Sequence, residues 1–199
     1  GGIYHNLLYT SANVIMGVTI GAVIGVIIGV LIGRIPLCRD ALEPPLLFLG
    51  TVPVLVLLPF LSLWFGNSRI ATSGLVIFYT FVIVAMGTQV ATTNISGYFE
   101  QYSDSLGASK KMLLMSVIAP AIVPEIIGTI RVALAFGWGF QAIAEVLGGQ
   151  VGAGRLIRVF TQYSNTAAML STVVCLGLIA IVADGIIATV GKWAVRWKE

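Results

Sequence analysis

Apolar positions run through this chain in long blocks rather than in short alternations. Five such blocks, about Thr10–Gly33, Leu42–Phe65, Ile70–Thr92, Leu113–Leu147 and Thr166–Val195, are each long enough to cross a hydrocarbon core of about 30 Å as a helix. The fourth exceeds one crossing, so its start, up to Pro124 and Glu125, is expected at the interface. Barrel strands would instead show alternating segments of about ten residues, and no such pattern is present. Between the third and fourth blocks lies a polar island, Tyr98 to Pro120, which carries Glu100, Asp104, Lys110 and Lys111. In hydrocarbon each of these charges would cost about 2.5–3.5 kcal/mol, so the island is predicted to project into water. The pattern predicts an all-α membrane protein with about five transmembrane helices.

Patterns inside the blocks predict how they pack. Gly17, Gly21, Gly25, Gly29 and Gly33 recur every fourth residue of the first block, a ladder that lets another helix approach closely. The second block is interrupted by Pro53 and Pro59, each of which removes a backbone hydrogen bond and frees a carbonyl. Lipid does not satisfy freed carbonyls, so this block is expected against protein or a wet pathway. In the fourth block Ala121, Gly128, Ala135, Ala142 and Gly149 recur every seventh residue and predict a small-residue seam for a neighbouring helix. Beside it run Arg131, Trp138 and Glu145, also seven apart, with Gln141 between the last two. Arg131 and Glu145 stand about 21 Å apart along a helix, so each needs its own partner or a wet cavity. Ionisable residues at such depth are candidates for a translocation path or gate.

Composition and charge narrow the class. The chain is 58% hydrophobic and 10% charged with mean hydropathy +1.01, which excludes a water-soluble globule. Its cations sit at the block ends rather than in a nucleic-acid-binding cluster. Arg34, Arg39, Lys110, Lys111, Lys192, Arg196 and Lys198 fall on one side, Arg69, Arg155 and Arg158 on the other. The richer side is expected to be cytoplasmic, which places the island and the C-terminus there. The N-terminus then falls outside, and an earlier, sixth span in the parent protein is expected. Gly148–Gly154 reads as a flexible external turn, followed by a short amphipathic helix over Arg155–Tyr163. Asp184 is expected to cap its helix or pair with Lys192 or Arg196. Cys38 and Cys175 lie at different depths and predict no disulfide. No phosphate loop, metal-ligand cluster or nucleophile elbow is present, and catalysis within this chain is not expected.

The island and its flanks resemble the cytoplasmic loop of permease subunits in bacterial ABC importers. In that family Glu-Ala-Ala is followed, after three residues, by Gly and later by Ile-x-Leu-Pro. Here Gly107 falls on the Gly, Pro120 on the Pro, and Leu106-Gly107-Ala108-Ser109-Lys110 is typical. Gln101-Tyr102-Ser103 stands in place of Glu-Ala-Ala, a departure. Val52-Pro53, Leu58-Pro59, Leu63-Trp64-Phe65-Gly66, Ile130–Leu134, Ala144–Gly148 and Gly152-Ala153-Gly154 resemble the branch importing nitrate, sulfonates, taurine and bicarbonate.

The resemblance implies a type I importer permease bundle, residues 1–199 as one transmembrane domain, with 98–116 a cytoplasmic coupling loop. It implies a bacterial inner-membrane location and three kinds of partner: ABC ATPase subunits, a second permease subunit, and an external solute-binding protein. ATP and Mg would be bound by the ATPase, leaving no cofactor in this chain. Glu100, Gln101, Tyr102, Ser103, Asp104, Leu106, Gly107, Ala108, Lys110, Lys111 and Pro120 would couple to that ATPase. The solute would be a small anion, with a neutral or cationic vitamin precursor as the alternative. An ion-gradient-driven transporter is the more remote reading. It would need polar residues converging at the midplane of several spans, which are not evident. A membrane scaffold would leave Arg131 and the broken second block unexplained.

Overall fold

The structure is a computed structural model that describes residues 2–95, 105, 107 and 109–195. Helices α1 (Ile3–Arg34), α2 (Pro36–Thr51), α3 (Val54–Phe65) and α4 (Arg69–Thr93) precede the island. After it come a helical turn, Lys110–Leu113, a π-helical turn, Leu114–Ile118, and then α5 (Ala119–Gly148), α6 (Ala153–Gln162) and α7 (Thr166–Ala194). α1, α4, α7 and the stretch Met115–Gly148 are each long and apolar enough to cross a membrane.

Helix ends follow from local chemistry. Ser68 caps α4 by accepting from the Ala71 N–H, and Asn165 caps α7 by accepting from the Ala168 N–H. The Arg39 guanidinium donates to the Ile32 and Gly33 carbonyls and so closes the C-terminus of α1.

The glycine ladder of α1 lies against α4 in a parallel register. A Cβ added at Gly17, Gly21, Gly25, Gly29 or Gly33 would strike Val76, Thr80, Val84, Thr88 or Thr92 respectively. Both strips advance four residues at a time, so the two helices run the same way and touch along nearly their whole length. α5 runs opposite to them, since Gly87 of α4 meets Thr129 and Gly137 of α5 meets Val76. α7 returns against α5, with Gly191 on Ile127. α4 is the core helix, 56% of its apolar window being buried, whereas α7 is peripheral at 6%.

These directions sort the charges. Arg34, Arg39 and Lys192 lie at the end where α1, α4 and α7 finish, while Arg69, Arg155 and Arg158 lie at the opposite end. Because α1 and α4 are parallel, α2 and α3 together must carry the chain back to the side where α1 began.

The second apolar block is not one kinked helix. α2 and α3 are bent by 101° at Val52–Pro53. Proline disfavours helical backbone in the residue before it, and Val52 is extended. The break frees the Val52 carbonyl, and the Tyr79 hydroxyl of α4 donates to it. Tyr79→Phe is expected to destabilise the fold by about 1–2 kcal/mol, seen as a lower melting temperature in detergent. An unchanged melting temperature would mean that the carbonyl finds another donor. The first helix also begins earlier than Thr10, at Ile3, because its polar residues Asn6 and Thr10 are turned inward.

Candidate functional site

Ideal helical geometry explains where α5 puts its residues. A seven-residue repeat drifts about 20° per step, so a row of side chains turns slowly around the helix. Arg131, at one end of its row, is exposed, whereas Trp138 and Glu145 have turned into the bundle and are 5% and 0% exposed. Gln141 is likewise 0% exposed. Trp138, Gln141 and Glu145 are thus buried in this conformation, whereas Arg131 faces outward.

Glu145 sits in a cage built from three segments. The Thr10 hydroxyl lies 2.7 Å from one carboxylate oxygen and 3.0 Å from the other. Gln141 Nε2 donates to the carboxylate at 2.8 Å and the Gly154 N–H at 3.0 Å. Thr10 in turn accepts from the Ala153 N–H at 2.8 Å, and Asn6 Oδ1 accepts from the Gly152 N–H at 2.8 Å. The backbone N–H groups of residues 152, 153 and 154 at the start of α6 thus each meet a different side chain, from α1 or α5. Unpaired N–H groups at a helix start attract negative charge, so a carboxylate suits the position.

Glycine is required here by space and by backbone. Gly152 has φ +119, and a Cβ there would overlap the Glu145 carboxylate, as one at Gly154 would overlap the Ala142 carbonyl. Arg158 completes the arrangement by donating to the Val146 and Gly149 carbonyls at the end of α5. The segment expected to be a flexible turn is pinned at both ends. Arg158 thus spends its guanidinium on capping α5.

Arg131 finds a different partner. Its Nε donates to Asp184 Oδ1 at 2.8 Å and its Nη2 to Oδ2 at 2.7 Å, a bidentate bridge from α5 to α7. Asp184 is thus engaged with Arg131, where a cap or a pairing with Lys192 or Arg196 was expected. Both side chains remain partly exposed, 44% and 40%.

The other sequence candidates separate cleanly. Gly17, Gly21, Gly25, Gly29 and Gly33 face α4. Gly128 and Ala135 are exposed, and a Cβ at Gly128 would meet nothing within 4 Å, so among the described residues no helix packs on that part of the seam. Pro53 marks the α2–α3 break, and Pro59 lines a groove of about 270 Å³ with Leu58, Ser62, Asn67, Leu147 and Gly148. Pro120 lies in the first turn of α5, which tolerates its missing N–H. Gly107 is exposed with φ +71, a left-handed conformation suited to glycine. Glu100, Gln101, Tyr102, Ser103, Asp104, Leu106 and Ala108 lie outside the described residues, as do the side chains of Lys110 and Lys111. No cluster of metal-ligating side chains is found among the described residues.

Sequence reasoning missed Asn6, Thr10 and Asn13. They fall on one face of α1, amid apolar neighbours, and that spacing was the available signal. Asn13 Oδ1 accepts from Arg69 at the start of α4, which ties the same end of the bundle together.

Comparison with known proteins agrees with this architecture. Residues 21–196 match the family described as Binding-protein-dependent transport system inner membrane component. The chain belongs to that family. This inner membrane component is 28% identical over 149 residues to the Taurine transport system permease protein TauC of Escherichia coli K12, covering 75% of the chain and 54% of that relative. It is 32% identical over 201 residues to the Riboflavin transport system permease protein RibX of Chloroflexus aurantiacus, covering 100% of the chain and 74% of the relative. The chain thus spans little more than half the length of the taurine permease. Among solved structures, an inward-facing MetNI methionine ABC transporter superposes with TM-score 0.76 at 21% identity, covering 96% of this chain and 93% of that one. That likeness shows the fold of an ABC importer permease, and the family match with the long apolar helices makes this a multi-pass inner-membrane protein.

Proposed function

We propose that this chain is the pore subunit of an ATP-driven importer, carrying a small anion such as nitrate, a sulfonate, taurine or bicarbonate. The observation that carries the reading is the position of the polar island. α4 ends beside the end of α1, so the island emerges from the bundle at the end bearing Arg34, Arg39 and Lys192. A cation-rich end is the cytoplasmic one, where an ATPase would be met and where the C-terminus would lie. ATP and Mg belong to that ATPase, and no catalytic step is assigned to this chain. A second permease subunit, identical or related, would complete the pore, and an external binding protein would deliver the solute.

Residues 98–116 would dock on the ATPase, with Gly107 as the exit turn. Gly107→Asp or Gly107→Pro is expected to abolish ATPase co-purification or coupled hydrolysis while leaving membrane insertion intact. Transport-coupled ATP hydrolysis that survived either change would remove the docking role. A neutral vitamin precursor is the second reading, favoured by the relative named for riboflavin, which aligns with the whole chain. A thermal-shift screen on the cognate binding protein, with taurine, nitrate and riboflavin as probes, separates the two.

A further inference from the structure

The Arg131–Asp184 bridge occupies an unusual position for a paired charge. It lies about 18 Å from the start of α5 and about 15 Å from the end of α7, well inside two apolar spans. Ion pairs at such depth are ordinarily enclosed, because charge facing hydrocarbon is expensive. This one is 44% and 40% exposed on the outer surface of the chain. Its surroundings must therefore be wet, or be supplied by another protein.

A groove of about 260 Å³ begins at Arg131 and runs between α5 and α7 toward their cation-rich ends, reaching Lys192. Gly128, Ala188 and Gly191 keep it open, with Pro124 and Ile127 among its walls. Both charged residues in the lining, Arg131 and Lys192, are cationic. Asp184 is held against Arg131 at the head of the groove, and Glu125, though exposed on α5, is not part of the lining. Asp184 uses the Arg131 Nε–H and one Nη2 hydrogen. A guanidinium carries five N–H donors, so both Nη1 hydrogens remain uncommitted. A second anion can therefore bind without expelling the first.

We propose that this groove is a water-filled anion port, in which Arg131 contacts the acid group of a small sulfonate, carboxylate or oxyanion. Asp184 is the resting counter-ion that keeps the guanidinium oriented, and Lys192 stands at the cytoplasmic mouth, where an imported anion would leave. This inference rests on the reading of the chain as the pore subunit for a small solute. With Asp184 paired to Arg131, the net positive charge on the groove is that of Lys192, and low-dielectric walls focus its field on anions.

The test is thiol accessibility in membranes of cells making the whole transporter, with Cys38 and Cys175 replaced by serine and Ala188→Cys as the reporter. The probes are an anionic sulfonatoethyl and a cationic trimethylammonioethyl methanethiosulfonate, with rates normalised to a free thiol. The anionic reagent is expected to react faster, by about threefold or more. Asp184→Asn should raise that preference and Lys192→Gln or Arg131→Gln should lower it, while Arg131→Lys should preserve it. No reaction with either reagent would show the groove filled by lipid or protein and overturn the proposal. A preference that none of the charge changes moves would overturn the anion assignment. ATPase co-purification reads the pore-subunit function separately, so an unreactive Ala188→Cys chain that still brings down its ATPase removes the port alone.

Discussion

Glu145→Ala is expected to loosen the α6 end of the bundle by about 3–5 kcal/mol, enough to lose most of the folded protein. The carboxylate is 0% exposed and receives donors from α1, from α5 and from the start of α6. Truncation strands the Gln141 amide and the Gly154 N–H where water does not reach, while the Thr10 hydroxyl can still donate to the Asn6 carbonyl. Each stranded donor costs about 1–3 kcal/mol. Glu145→Gln keeps the shape and one accepting oxygen, but its amide group faces the Gln141 amide, so an intermediate loss is expected. Gly152→Ala should resemble Glu145→Ala, since its Cβ would occupy the carboxylate's space from a backbone at φ +119. The measurements are the melting temperature in detergent and tryptic cleavage after Arg155 and Arg158. Variants that melt with the parent and stay resistant at those arginines would show that the cage does not hold α6.

The contrast between these residues and Arg131 shows what a one-dimensional pattern can reveal. The four-residue glycine ladder announced a close helix contact because packing that tight needs glycine at every step. Its partner was also present in the sequence, as Val76, Thr80, Val84, Thr88 and Thr92 at the same spacing. Those residues look like ordinary membrane-helix positions until the ladder lies against them. Helical drift carries the two ends of the seven-residue seam to different environments, with Gly128 exposed and Gly149 buried. Gly128 and Ala135 stayed exposed, while in the neighbouring row Glu145 turned inward. Partners distant in sequence were the least legible. Nothing local joins Thr10 to Glu145, or Arg131 to Asp184, because each pairing exists only once α1, α5 and α7 are placed. The break at Pro53 was visible as chemistry, but neither its 101° angle nor the Tyr79 hydroxyl that meets the freed Val52 carbonyl could be read locally.

Gly29→Val should be the most damaging substitution in the α1 glycine ladder, whereas Gly128→Ala should leave the isolated chain as stable as before. A Cβ at Gly29 would lie 2.5 Å from the Ala85 carbonyl oxygen and 2.6 Å from Thr88 Cβ. Neither is the far end of a flexible side chain, so α1 and α4 would have to separate. Overpacking commonly costs about 1–3 kcal/mol, and more where rigid backbone must move. Membrane helices also lack a hydrophobic drive to re-associate, since lipid solvates a parted interface as well as protein does. A gap opened at one rung therefore spreads to Gly25 and Gly33, and Gly29→Ala should show a smaller loss of the same kind. A Cβ at Gly128 meets nothing within 4 Å, and alanine is favoured over glycine in a helix by up to about 1 kcal/mol. Melting temperatures of the two purified variants decide the matter. Equal stability of Gly29→Val and the parent would mean that the ladder does not set the α1–α4 distance. A fall at Gly128→Ala would instead require a neighbour already seated on the exposed face of α5, which places a second subunit at that stripe.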